Sequence, residues 1–162
     1  DADTHHNLGL IYDKLGRYQD AIESFKQTIR IKPDYAEAHN NLGSLYEQQG
    51  QLDEALHEFE EAVRNQPNYR LAHFHLGRIL ANQKKYDDAI QHFLRTLSPE
   101  DGETPRYLYA LAATYARTGD LPSALQYART ARQQAAAQGL SQLLASIERD
   151  LQALEEAAMS DR

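Results

Sequence analysis

The chain has 162 residues, 41% hydrophobic and 25% charged, with 17 basic against 24 acidic side chains and a formal net charge of −7. That balance supplies no general basic surface for phosphates and argues against nucleic acid as a partner. It contains no cysteine, which excludes disulfides and thiolate metal sites without naming a compartment, and no apolar run nears the roughly 20 residues of a membrane span.

From the start, residues recur at an interval of 34: Leu8, Leu42 and Leu76; Gly9, Gly43 and Gly77; Ala21, Ala55 and Ala89; Phe25, Phe59 and Phe93. A fixed period of this length marks one copied supersecondary unit, which cannot bury its apolar face without a stacked neighbour. The first copy, 2–35, carries Leu8-Gly9, Tyr12, Ala21, Phe25 and Pro33. No cap precedes Ala2 and there is no initiator methionine, so the chain reads as the carboxy-terminal piece of something longer. Nothing at its start resembles a signal peptide, and the localisation stays undetermined.

The second copy, 36–69, shows the internal plan. Ala38, Leu42, Leu45 and Tyr46 form one stripe of a helix predicted over 36–49. Gly50 stands where a helix ends in a left-handed residue, and Leu52, Ala55, Leu56, Phe59, Ala62 and Val63 make the stripe of a second helix. Asp53 and Glu54 sit in its first turn, where they complement the positive helix end. Pro67 then stops the pair. Gly43 and Ala55 are small enough to let the two backbones approach, with Tyr46 and Phe59 filling the space beside them.

The third copy, 70–104, keeps Leu76-Gly77, Ala89 and Phe93 but has Leu80 for the tyrosine and Lys84 for the turn glycine. A turn-rich link over 98–103 contains one extra residue. The fourth copy, 105–138, has Leu111-Ala112, Tyr115, Gly119 and Ala124, then Ala128 in place of the aromatic and no closing proline. Residues 1–138 thus hold four copies. Over 139–159 a single helix is expected, capped by Ser141, with Leu143, Leu144, Ile147, Leu151 and Leu154 inward and Glu148, Arg149, Asp150, Glu155 and Glu156 outward, followed by a tail at 160–162.

Leucine beside a small residue, an aromatic three further on, then alanine, aromatic, alanine and proline resembles the tetratricopeptide repeat. The resemblance implies an all-α, right-handed α-solenoid of antiparallel helix pairs with a C-terminal capping helix, acting as a protein-protein interaction scaffold that binds a peptide in its concave groove. Where that family carries tryptophan, this chain has His5, His39 and His73. The groove positions implied include His6, Asn7, Asn40, Asn41, Phe74, His75, Arg78, Ala81, Asn82, Arg106, Tyr109 and Arg117.

Two groups among them stand out. Asn7 and Asn41 share one register position, and a side-chain amide can pair with a peptide N–H and C=O at once. The pair is similar to the asparagine ladder in the repeat region of O-linked N-acetylglucosamine transferases, though it stops at His75 and Ala110. Arg78, Arg106 and Arg117 with Asn82, Phe74 and Tyr109 suit an acidic or C-terminal peptide. The family's chaperone-binding carboxylate clamp fits poorly, because His6 and Leu10 occupy the places of its lysine and asparagine. Charge is also graded: 36–69 holds seven acidic residues and Arg64, whereas 105–138 holds four arginines and Asp120.

His5, His39 and His73 share a register, but neighbouring first helices lie about 8–10 Å apart, whereas zinc needs nitrogens at about 2.0–2.1 Å. They are expected to be half-buried structural histidines, and no metal or cofactor is expected. No nucleophile elbow, zinc-protease, phosphate-loop or dinucleotide motif is present, so no enzymatic activity is assigned to the segment. Two alternatives remain: a partner-recruiting region of a larger enzyme, such as a glycosyltransferase or cytochrome-bearing protein, and self-association through the uncapped first helix.

Overall fold

The computed structural model describes residues 1–160, and among them every regular element is helical. In order these are α1 (Ala2–Lys14), α2 (Tyr18–Ile31), α3 (Ala36–Gln48), α4 (Leu52–Asn65), α5 (Arg70–Asn82), α6 (Tyr86–Arg95), α7 (Thr104–Thr118), α8 (Leu121–Ala137) and α9 (Ser141–Ser160). They form two compact units, Asp1–Leu76 and Gly77–Arg162, whose boundary falls inside α5.

In the first unit α1 packs on α2, α2 on α3 and α3 on α4. Asp1 caps α1 by accepting a hydrogen bond from the Thr4 N–H at 2.7 Å. Each first helix stops in a Schellman arrangement. At Gly50, φ is 77°, its N–H donates to the Glu47 carbonyl, and the Gln51 N–H reaches the Tyr46 carbonyl, both at 2.9 Å. Lys84 takes the same left-handed conformation, with φ 62° and the corresponding bond from Lys85 N–H to the Leu80 carbonyl at 2.9 Å. The turn geometry therefore persists where the glycine does not.

The core of this unit joins Ala21, Ile22 and Phe25 to Ala38, Leu42 and Leu45, so that a second helix is sealed by the next first helix. A Cβ built on Gly9 would lie 2.6 Å from the Phe25 ring, and one on Gly43 would lie 2.9 Å from that of Phe59. The glycine column thus exists because an aromatic ring is pressed onto it. The first copy differs at its open side: Leu8 is 37% and Ile11 53% exposed, whereas Leu42 and Leu45, in the same columns, are 1% and 3%.

In the second unit α6 packs on α7, α7 on α8, and α9 on both α8 and α7. A Cβ built on Gly77 would likewise lie 2.8 Å from the Phe93 ring. The fourth copy changes both partners together, placing Ala112 opposite Ala128, with Leu151 of α9 packed against the pair. Leu108, Ala131, Ala135 and Ile147 form the adjoining core.

Two local expectations need correction. Ser141 lies inside α9, and its hydroxyl donates to the Gly139 carbonyl at 3.5 Å; Leu140 is the capping residue, since its carbonyl accepts from the Leu144 N–H at 2.8 Å. Helix α9 also runs through Ser160, so of the expected tail only 161–162 remain, and these lie outside the described residues.

Candidate functional site

In the first unit, Asn7 is exposed on α1 and makes no hydrogen bond among the described residues, while Asn41 is half-buried on α3. The Asn41 amide nitrogen donates to His6 Nε2 at 3.2 Å. His6 Nδ1 faces the Tyr35 hydroxyl at 3.4 Å, and that hydroxyl donates to the Asp3 carboxylate at 3.0 Å. The chain of contacts requires His6 to be neutral with its proton on Nδ1. Burial, opposed by Glu37 and Asp3, lowers its pKa from 6.5, in keeping with that state.

The surroundings of several residues differ from those expected. His6, Asn40 and Ala81, expected in the groove, are buried. Asn41 has committed one amide hydrogen to His6. His75 is held by stacking on Phe59, with ring centroids 4.6 Å apart and planes 8° from parallel, and by Glu47 at 3.7 Å from its Nδ1. Phe74 is half-buried, its ring 6.1 Å from that of His75.

His5 is half-buried, as expected, whereas His39 and His73 are buried, and their task is more specific than filling space. Each donates from Nε2 to the carbonyl of the preceding repeat's proline, Pro33 or Pro67, at 2.8 Å. His39 also donates from Nδ1 to Glu58 at 2.6 Å, so both ring nitrogens face acceptors. Burial opposes the charged ring, but the Glu58 and Pro33 hydrogen bonds and the Glu58 and Glu61 charges outweigh it and raise the pKa above 6.5. Among the described residues no three metal-binding side chains converge, and no helix is long and apolar enough to cross a membrane.

In the second unit, Arg78 is half-buried and Asn82 exposed. Arg106 is exposed and lies 3.7 Å from Glu103 in the same helix turn. Arg117 is exposed and has no ion-pair partner among the described residues. Tyr109 donates its hydroxyl to the Asp150 carboxylate and lies 3.5 Å from the Ser146 carbonyl. Burial, then the Asp150 hydrogen bond and charge, push its pKa up to about 12, so it remains a neutral donor.

Asp150 was expected to face water. It stands on the margin of the inward stripe of α9, three residues after Ile147 and four before Leu154, and there it meets the Tyr109 hydroxyl of α7. Asp150, Ala153 and Leu154 close one side of a pocket of about 390 Å³, whose other walls include Tyr109, Ala112, Ala128 and Arg117. This contribution of α9 was not anticipated from sequence. Its signal was the placement of Asp150 at helical spacing between the apolar residues.

A TPR repeat family pattern matches residues 9–50, and tetratricopeptide repeat patterns match 45–103 and 105–137. No curated protein sequence matches the chain. Among solved structures, MamA superposes with a TM-score of 0.77 at 24% identity, covering 86% of this chain and 81% of that one. PilF of Pseudomonas aeruginosa gives 0.76 at 21% identity, covering 96% and 72%. A further MamA structure gives 0.69 at 26% identity, covering 82% and 72%. The helix pairs closed by left-handed turns, the glycine–phenylalanine column and these matches agree that the chain belongs to the tetratricopeptide repeat family, an all-α repeat fold that serves generally as a protein-interaction scaffold.

Proposed function

We propose that this chain binds peptide segments of partner proteins on the faces of its first helices, and that the segments it favours are acidic or C-terminal. The observation that carries this reading is the division of labour between helices. The second helices bury the phenylalanine column, while the first helices keep polar groups outward, the Asn7 and Arg117 side chains without a partner among the described residues. In the first unit Asn7 and the Asn41 carbonyl would hold peptide backbone, with Phe74 and His75 as half-buried ring surfaces. In the second unit Arg78, Arg106 and Arg117, with Asn82 and Tyr109, would receive carboxylates.

Calorimetry with acidic and neutral peptides of matched length tests this reading. Acidic peptides should bind at least tenfold more tightly, Arg117→Ala should weaken them, and Asn7→Ala with Asn41→Ala should weaken both classes. Equal binding of the two classes by wild type excludes the charge preference, and unchanged affinity in the double variant excludes the backbone clamp. The chain contributes the same capture step as a free adaptor or as the recruiting region of a larger enzyme. A second use, self-association through α1, is favoured by the exposure of Leu8, Ile11 and Leu15.

A further inference from the structure

The second unit holds a pocket whose origin can be read from the repeat itself. In the first three copies a phenylalanine ring from the second helix lies against a glycine of the first: Phe25 on Gly9, Phe59 on Gly43 and Phe93 on Gly77. In the fourth, Ala128 replaces the ring and Ala112 the glycine. Leu151 and Leu154 of α9 close on this place, yet a pocket of about 390 Å³ remains open beside them, with Ala112, Ala128 and Ala153 in its wall. A cavity of about 150 Å³ lined by apolar groups already holds benzene, so the space suffices for an aromatic side chain.

The rim supplies a preference. Asp150 is engaged by the Tyr109 hydroxyl and by Arg149 Nε at 3.2 Å, so its charge is answered within the protein. Arg117, in the same wall, is exposed and has no partner among the described residues. The unanswered charge at the mouth is therefore positive. An aromatic ring below a guanidinium also gains a cation–π contact, and acidic groups next to the ring would meet the same arginine.

We propose that this pocket receives one aromatic side chain of an acidic peptide partner, supplying from outside the ring that the fourth repeat lacks. The inference rests on the peptide-binding reading above and adds to it the residue type recognised and the place where it is held. A phenyl-sized group suits it because the pocket has the volume for one, with alanine and leucine carbon in its wall and a guanidinium at its mouth.

The test uses the full chain with ¹³C-methyl-labelled alanine and two acetylated, amidated peptides, Asp-Glu-Phe-Asp-Glu and Asp-Glu-Ala-Asp-Glu. The phenylalanine peptide should shift the methyls of Ala112, Ala128 and Ala153 and bind at least tenfold more tightly than the alanine peptide. Ala112→Gly with Ala128→Phe restores the family pairing and fills the pocket from within. That variant, where folded, should lose at least tenfold in affinity for the phenylalanine peptide, while Arg117→Ala should lose part of it. Should the double variant not fold, Ala153→Leu fills the opposite wall and should give the same loss.

Equal binding of the two peptides, or undiminished binding by a folded pocket-filled variant, overturns the inference. If the acidic peptides perturb the first-helix arginines while these alanine methyls stay unmoved, the pocket assignment fails and the scaffold reading survives. If the methyls shift only with the phenylalanine peptide, yet longer peptides bind independently of Asn7, Asn41 and Arg106, the pocket stands and the wider peptide-binding reading fails.

Discussion

Lys84 shows what one backbone position demands. The turn after α5 needs a left-handed residue, and a side chain there costs roughly 1–2 kcal/mol through the clash between Cβ and the following carbonyl. Lys84→Gly should therefore raise stability by about 1 kcal/mol, less than the full strain because glycine frees the unfolded chain; urea denaturation measures it. His39 behaves differently because its environment changes its charge. Its folded pKa lies above 6.5, so its stabilising contribution is complete below pH 6.5 and disappears as pH rises through the folded value. His6, with its pKa lowered, works in the opposite sense: its contribution is complete above pH 6.5 and lost as pH falls towards the folded value. Comparing wild type with His39→Gln separates the two, and the melting-temperature advantage of wild type should shrink between pH 6 and pH 8.5.

At the scale of the element, the helix pair is held by a ring pressed onto bare backbone. Gly43→Ala would place a methyl group 2.9 Å from the fully buried Phe59 ring, which has no room to withdraw. Overpacking of this kind costs about 1–3 kcal/mol and exceeds the helix propensity that alanine regains, about 0.5–1 kcal/mol. Thermal unfolding should thus show a net loss. Helix α9 illustrates the converse limit of stripe reading. Its inward residues Ile147 and Leu151 follow from spacing alone. The role of Asp150 does not, because a charge on the margin of a stripe faces water or protein according to what the neighbouring helix offers, and here α7 offers the Tyr109 hydroxyl.

At the scale of the molecule, a repeat protein buries each copy against the next, so the same column is buried to the degree that a neighbouring helix packs on it. Leu42→Ala, in a column sealed by packing, should cost about 2–5 kcal/mol. Leu8→Ala, in the same column but 37% exposed, should cost less than half as much by equilibrium denaturation. If the open face of α1 drives association, Leu8→Glu should also keep the chain monomeric at concentrations where wild type enlarges by light scattering.

The helix pairs, the left-handed stop at Gly50 and the recurrence of glycine and phenylalanine were legible in the period and spacing, whereas the ring lying directly on the glycine, where Gly43 and Ala55 were expected to meet, was not. Each legible feature depends on residues close in sequence or on a pattern copied three times. Tertiary structure alone decided that Asn41 spends an amide hydrogen on His6, 35 residues away, and that Asp150 turns to Tyr109, 41 residues away. It also decided that α7, α8 and α9 together wall a pocket. Spacing along a helix determines which side chains share a face, whereas the partner each one meets depends on how that face is set against another, which no local pattern records.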